Sequence, residues 1–273
     1  MFDDPATAYL QVKAFLISLA YTAPRIFGMF IPIPIFNSQI MPGLLRYSVA
    51  AALGIMVAPM LMPTINMTDL SGGHIFLMLL KEAFIGFVLG YMIAIPFWAF
   101  EAVGFLIDNQ RGASIAATLN PLTGNDSSPM GILFNQAFIV FFFVSGGFLL
   151  MLDVLYDSYR LWDVMSWTPQ LRPESIVVML EQLNKIVLIA VLLSSPAIVA
   201  MFLAEMGLAL VSRFVPQLQV FFLAMPIKSA LAVLVLMLYM STLFEYGYDY
   251  IRDLRDILPL LNGQWYTSTR AGK

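Results

Sequence analysis

Arg25, Lys81, Glu82, Glu101, Glu205 and Lys228 lie inside runs of apolar residues. Ionisable groups in such runs are costly, and they face a bundle interior or a water path and pair with one another or with carbonyls. The chemistry open to them is ion pairing, pore lining or proton relay. Glu205 lies about ten residues before Pro216 and Lys228 about twelve after it, so a hairpin turning there sets both at similar depth. They are expected to pair with each other, to pair with a neighbouring subunit, or to snorkel to an interface. Lys81 and Glu82 follow Ile75 closely, and a place near a membrane surface is preferred for them over a proton relay. Glu101 and Asp108 are seven residues apart, so they share one helix face, either a pore lining or the wet end of a long helix.

Beyond Ile107 that face runs into a polar stretch, Asp108-Asn109-Gln110-Arg111-Gly112-Ala113-Ser114, continued by Asn120-Pro121-Leu122-Thr123-Gly124-Asn125-Asp126-Ser127-Ser128-Pro129. A connector of roughly two dozen residues without secondary structure of its own is functional or disordered. This one is rich in small and amide side chains and poor in charge, so it is expected to sit inside something.

Other chemistry is missing. His74 is the single histidine and there is no cysteine. HExxH, phosphate-loop and dinucleotide-binding glycine patterns do not occur. Ser194-Ser195 has no base nearby and precedes Pro196, which reads as a helix kink. No cluster has the ligand spacing of a metal site. No enzyme activity, cofactor or metal is expected. With 14 Lys+Arg against 17 Asp+Glu and a net charge of -3, nucleic acid is not an expected partner. The 18 methionines read as scattered membrane core.

The elements that must hold these groups are apolar helices. Of 273 residues, 60% are hydrophobic and 11% charged, and the mean hydropathy is +0.84. Soluble domains carry about 25% charged residues, so the chain is an integral membrane protein. Period-two strands are absent, which disfavours a β-barrel. Six apolar segments are predicted: roughly Val12–Phe36, Leu44–Ile65, Ile75–Ile107, Ile132–Leu155, Ile186–Val211 and Val220–Phe244. The fold class is therefore all-α and polytopic, with about six long, partly proline-broken helices. The acidic N-terminal residues argue against a cleaved signal.

The third segment would reach about 50 Å against a hydrocarbon core of about 30 Å, and Pro96 is expected to kink it. Pro32 and Pro34 are incompatible with an unbroken helix. Irregular backbone at membrane depth must be covered by protein, so much of the chain is expected to pack on protein rather than lipid. Gly86 and Gly90 form a GxxxG, and Ala50, Gly54 and Ala58 repeat the spacing, which suits close helix approach. The connector Asp153–Lys185 carries Tyr156, Tyr159, Trp162 and Trp167, an interfacial composition. Residues 245–273 read as a polar tail. Six spans would place Lys13, Arg160, Arg172, Lys185, Arg252, Arg255, Arg270 and Lys273 on the side of both termini, against Arg46, Arg111 and Arg213 on the other. Cytoplasmic termini are then expected.

The run Ile107-Asp108-Asn109-Gln110-Arg111-Gly112-Ala113 resembles the signature of the SctT family, injectisome relatives of flagellar FliR. Ala23-Pro24-Arg25 with Pro34-Ile35-Phe36-Asn37-Ser38 resembles that family's first segment. Gly146-Gly147, Met151-Leu152-Asp153-Val154-Leu155 and Ser158-Tyr159 resemble the fourth. Ser195-Pro196, Glu205, Leu210-Val211-Ser212-Arg213-Phe214 and Pro216-Gln217 resemble the fifth, and Val220-Phe221 with Ile227-Lys228-Ser229 the sixth.

The resemblance implies a subunit of a type III secretion export apparatus in the bacterial inner membrane. One copy would join about five SctR and about four SctS subunits in a helical, heterologous assembly. SctU and SctV are further implied partners, with inner rod or needle subunits, membrane lipid and secreted proteins. Residues 1–185 would resemble SctR packing and 186–244 the SctS hairpin, much of it raised toward the periplasmic side. Asp108, Asn109, Gln110, Arg111, Gly112, Ala113, Ser114 and Asn120, within 108–131, would form a plug in the channel. Arg111 would reach an acid of a neighbouring subunit. Arg25, Glu101, Glu205, Arg213 and Lys228 are the implied sites of intramembrane charge pairing or assembly. A small-solute secondary transporter is the alternative, with broken helices at a midplane site.

Overall fold

The computed structural model describes residues 5–38, 40–63, 72–112, 128–166, 173–215 and 220–265. Every regular element among them is helical: α1 Pro5–Phe30, a 3-10 turn Pro34–Phe36, α2 Gly43–Leu61, α3 Gly72–Arg111, α4 Pro129–Val144, α5 Gly147–Leu161, α6 Pro173–Phe214, α7 Val220–Asp253, a 3-10 turn Leu254–Asp256, and α8 Ile257–Trp265. Within the described residues α2, α3, Met179–Phe214 and Phe222–Leu261 are long and apolar enough to cross a membrane. The broken pair α4 and α5 makes a fifth if counted as one span. Helix α1 is not among them; Lys13, Pro24 and Arg25 lower its mean hydropathy.

Local chemistry sets the element ends. Pro32 and Pro34 stop α1 at Phe30 and leave only the short 3-10 turn, as two prolines so close must. Pro24, Pro59, Pro96, Pro196 and Pro226 sit inside helices. The fourth apolar segment, expected from Ile132 to Leu155 as one piece, starts earlier and breaks. Ser128 caps it and Pro129 opens it. At its far end Gly146 takes φ +82°, a left-handed conformation that terminates the helix. Helix α3 has 40 residues, about 60 Å of rise, so its excess over a bilayer is larger than expected. The stretch read as a polar tail is helical through Trp265, and Ile251, Leu254, Leu258 and Leu261 on it are buried.

The chain forms two compact units. The first takes its described residues from Met1–Ala94, Phe148–Met179 and Asp253–Lys273. There α1 packs along α2, where a Cβ on Gly54 would meet the side chains of Leu19, Thr22 and Ile26. It packs more closely still on α3. A Cβ on Gly86 would strike the Arg25 carbonyl, one on Gly90 the Met29 carbonyl, and one on Gly28 the Ala83 carbonyl. The GxxxG pair therefore seats a helix of its own chain. Ile26, Met29, Ile85, Leu89 and Ile93 fill the core beneath.

The second unit comprises Ile95–Gly147 and Leu180–Arg252. Its core is aromatic. Phe138 of α4 stacks on Phe100 of α3 at 4.4 Å between ring centroids and meets Phe97 edge-on at 4.9 Å. Phe142 meets Phe97 at 5.1 Å, and Phe141 meets Phe244 of α7 at 4.8 Å. Such ring pairs contribute about 0.5–1.5 kcal/mol each beyond their buried area. Val187, Leu188, Phe202 and Leu203 on α6 and Leu234, Met237 and Leu238 on α7 remain exposed.

Candidate functional site

The charged residues gather into two constellations, one in each unit. In the first unit Arg25 is fully buried. Its Nε donates to Glu82 Oε2 at 2.7 Å, one terminal nitrogen to Ser158 Oγ at 3.1 Å and the other to the Trp162 carbonyl at 3.0 Å. The guanidinium also lies 4.1 Å from the centroid of the Tyr159 ring, whose hydroxyl donates to the Thr22 carbonyl at 2.8 Å. Lys81 Nζ reaches Glu82 Oε1 at 2.9 Å and donates to the carbonyls of Asp163, Val164 and Ser166 at 3.3, 2.8 and 2.7 Å. Lys81 and Glu82 were expected near a membrane surface. Glu82 is fully buried between two cations. A planar guanidinium suits this place because it directs several donors at fixed angles. The cluster ties α1, α3 and α5 together.

The second constellation surrounds the end of α3 and the start of α4. Gly104 lets the two helices touch, since a Cβ there would lie 2.5 Å from the Met130 carbonyl and the Gly131 nitrogen. One turn on, Asp108 meets the N-terminus of α4. Its Oδ2 accepts from Ser128 Oγ at 2.6 Å and from the Met130 amide at 2.9 Å. Ser128 Oγ in turn accepts from the Gly131 amide at 2.9 Å, as an N-cap does. A carboxylate at this position satisfies orphan amides and opposes the positive end of the helix dipole. One turn back, Glu101 Oε2 accepts from Asn135 Nδ2 at 2.6 Å. Glu101, Gly104 and Asp108 thus form one face of α3 against Asn135, Gly131 and Ser128 of α4.

The C-terminal end of α3 is capped separately. Gly112 takes φ +86° and its amide bonds the Asn109 carbonyl at 3.2 Å. Lys228 of α7 donates to the Gln110 carbonyl at 3.1 Å and pairs with Glu205 Oε2 of α6 at 2.8 Å. Arg111 Nε lies 2.7 Å from Asp108 Oδ1 in its own turn.

Asp108 to Arg111 are the last turn of α3 rather than loop. Asn109 is exposed there, and Gly112 follows the helix. Ala113, Ser114 and Asn120 lie outside the described residues. Arg213 is exposed in the last turn of α6. Sequence reasoning missed Gly104, Ser128, Gly131 and Asn135. Ser128-Pro129 was legible, because serine at the N-cap followed by proline at the first helical position is a start signal. Among the described residues no group of His, Cys, Asp and Glu is placed to hold a metal.

Both constellations consist of charges held by carbonyls, amides, serine hydroxyls and one another. The class they define is an all-helical membrane protein built to hold helix ends in place. Residues 16–254 match the bacterial export proteins, family 1, and the chain belongs to that family. It is 40% identical over 248 residues to the Yop proteins translocation protein T of Yersinia pestis, covering 89% of this chain and 94% of that one. It is 32% identical over 238 residues to the surface presentation of antigens protein SpaR of Salmonella typhimurium, covering 85% and 86%. The flagellar biosynthetic protein FliR of Bacillus subtilis is 29% identical over 223 residues, covering 81% and 85%. The chain is therefore a homologue of type III secretion and flagellar export proteins, a family of membrane proteins of the export apparatus and not of enzymes.

Proposed function

We propose that this chain is a subunit of a type III secretion export gate in the bacterial inner membrane. With SctR and SctS it forms the channel for unfolded effector and needle proteins, and 108–131 is the channel plug. The arrangement at the two ends of residues 113–127 carries this reading. The end of α3 is held by Lys228 and the start of α4 by Asp108 and Ser128. A plug needs ends held at rest and a middle that leaves without breaking a hydrophobic core. The small and amide side chains of 113–127 supply such a middle, and the polar clamps supply the ends.

The open apolar faces of α6 and α7, which need lipid or protein cover, support a place among partner subunits. Residues 1–185 take an SctR-like place and 186–244 an SctS-like place, beside about five SctR and about four SctS copies in a helical assembly whose turn this one odd subunit closes. SctU, SctV and the inner rod or needle subunits adjoin this assembly, much of it raised toward the periplasmic side. Native mass spectrometry of the co-expressed subunits, joined to planar-bilayer conductance, tests both parts. A discrete complex with one copy of this chain, made leaky by deleting Ala113–Thr118, is the expected result. A stable monomer or homodimer overturns the gate, and unchanged conductance after the deletion overturns the plug.

A further inference from the structure

Lys228 stands two residues beyond Pro226 on α7, its side chain only 10% exposed. An ammonium carries three donors, so its bond to the Gln110 carbonyl and its pair with Glu205 coexist. Gln110 is in the last turn of α3, where carbonyls have no acceptor role left within the helix and the dipole is negative. The cation therefore both caps α3 and fastens it to the hairpin of α6 and α7. Glu205 is different in kind, because its side chain is 49% exposed. If α3 moves away from Lys228, the ammonium keeps a carboxylate partner and never becomes an unpaired buried charge. Detachment then breaks one charge-assisted hydrogen bond, a far smaller barrier than stranding an ion.

We propose that Lys228 is a positioning residue, a releasable pin that fixes the leading end of residues 113–127 to the α6–α7 hairpin, with Glu205 holding the ammonium in both the attached and the detached state. The effect of the pin on channel leakage rests on the plug reading above, while its effect on the end of α3 does not.

The chain has no cysteine, so Ile107→Cys introduces a single thiol at a fully buried position one turn before the pin. The intact co-expressed complex carrying Ile107→Cys is treated with N-ethylmaleimide, and modification of this chain is followed by mass. Lys228→Met is expected to speed labelling about tenfold or more, the loss of one charge-assisted bond expressed as local opening. Lys228→Arg keeps a cationic donor and is expected to restore slow labelling, which a purely space-filling role for the lysine would not require. Glu205→Gln is expected to speed labelling by less. Labelling at the parent rate in an assembled Lys228→Met complex overturns the pin. Should Lys228→Met fail to assemble, parent-rate labelling with Glu205→Gln overturns it instead. Conductance separates the two readings. Fast labelling with tight channels after both Lys228→Met and the Ala113–Thr118 deletion keeps the pin and removes the plug. Slow labelling in Lys228→Met beside a leaky deletion keeps the plug and removes the pin.

Discussion

Replacing Asp108 with asparagine keeps the shape of the side chain and removes its charge. The carboxylate now serves two clients at once: Oδ2 holds Ser128 and the Met130 amide, and Oδ1 holds Arg111. Asparagine offers one oxygen and one donor group. If the oxygen stays with α4, the amide NH2 faces the Arg111 guanidinium, donor against donor. If it turns to Arg111, the Met130 amide loses its acceptor. Either way one charge-assisted bond is lost, about 1.5–3 kcal/mol, and an anion leaves the N-terminus of α4, about 0.3–1 kcal/mol. Arg111 is partly exposed, so water recovers part of its share, and the expected total is about 2 kcal/mol. Local opening of the first turn of α4 should then be about 30-fold more frequent. Hydrogen exchange of peptides covering residues 128–135 in the intact complex measures this directly. Asp108→Ala should open the turn further, because both clients are stranded. Exchange in Asp108→Asn within about threefold of the parent, a difference below about 0.7 kcal/mol, would refute the shared-carboxylate account.

Gly104→Ala should disrupt the contact of α3 with α4, since the added methyl meets main-chain atoms of Met130 and Gly131 at 2.5 Å and neither can yield like a side chain. A cost of about 1–3 kcal/mol is expected, read as lowered thermal stability of the complex in detergent. Gly207→Ala is its control: nothing lies within 4 Å of the new Cβ, and helix propensity predicts a gain of about 0.5–1 kcal/mol. Equal effects at the two positions would count against the close-approach reading. Glu82→Gln leaves Arg25 and Lys81 buried around no anion, with an expected loss of about 3–5 kcal/mol. At roughly 2 °C per kcal/mol for a chain of this size, the melting temperature should fall by about 6 °C or more, and a shift under about 2 °C would refute the cluster's structural role.

Local rules carried far along this sequence. Two prolines two residues apart stopped α1, and long apolar runs became long helices. Ser128-Pro129 could have been read as a helix start by the same rules. Depth was also legible, because distance along a helix is proportional to residue number; counting from Pro216 sufficed to set Glu205 beside Lys228 in height. Partners were not legible wherever they lie far apart in the chain. Arg25 and Glu82 are separated by 57 positions, and Arg25 and Trp162 by 137. Each charge could be flagged for its cost in an apolar run, yet nothing in its own neighbourhood names the group that neutralises it. The break at Gly146 escaped for a related reason. A glycine within a membrane segment is common, and only its positive φ marks it as a terminus.

Burial decides which of these charges can take part in a change of state. Arg25 and Glu82 are sealed from water, and every bond Arg25 makes is to a group on α3, on α5 or just beyond it. Parting them would leave Arg25 buried without a counter-ion, several kcal/mol uphill. Such a cluster specifies which helices meet and then stays as it is. Around residues 113–127 the charges are graded instead. Asp108 is 3% exposed and serves α4, Arg111 is partly exposed, and Glu205 is half-exposed. Lys228 joins a part-buried carbonyl to a half-exposed carboxylate, so movement at the end of α3 gives up one partner and keeps the other. A channel that must be tight at rest and open on demand requires this second kind of contact at its moving part and the first kind in the frame that holds it. The chain has both, and the graded set lies at the two ends of the segment assigned to the plug.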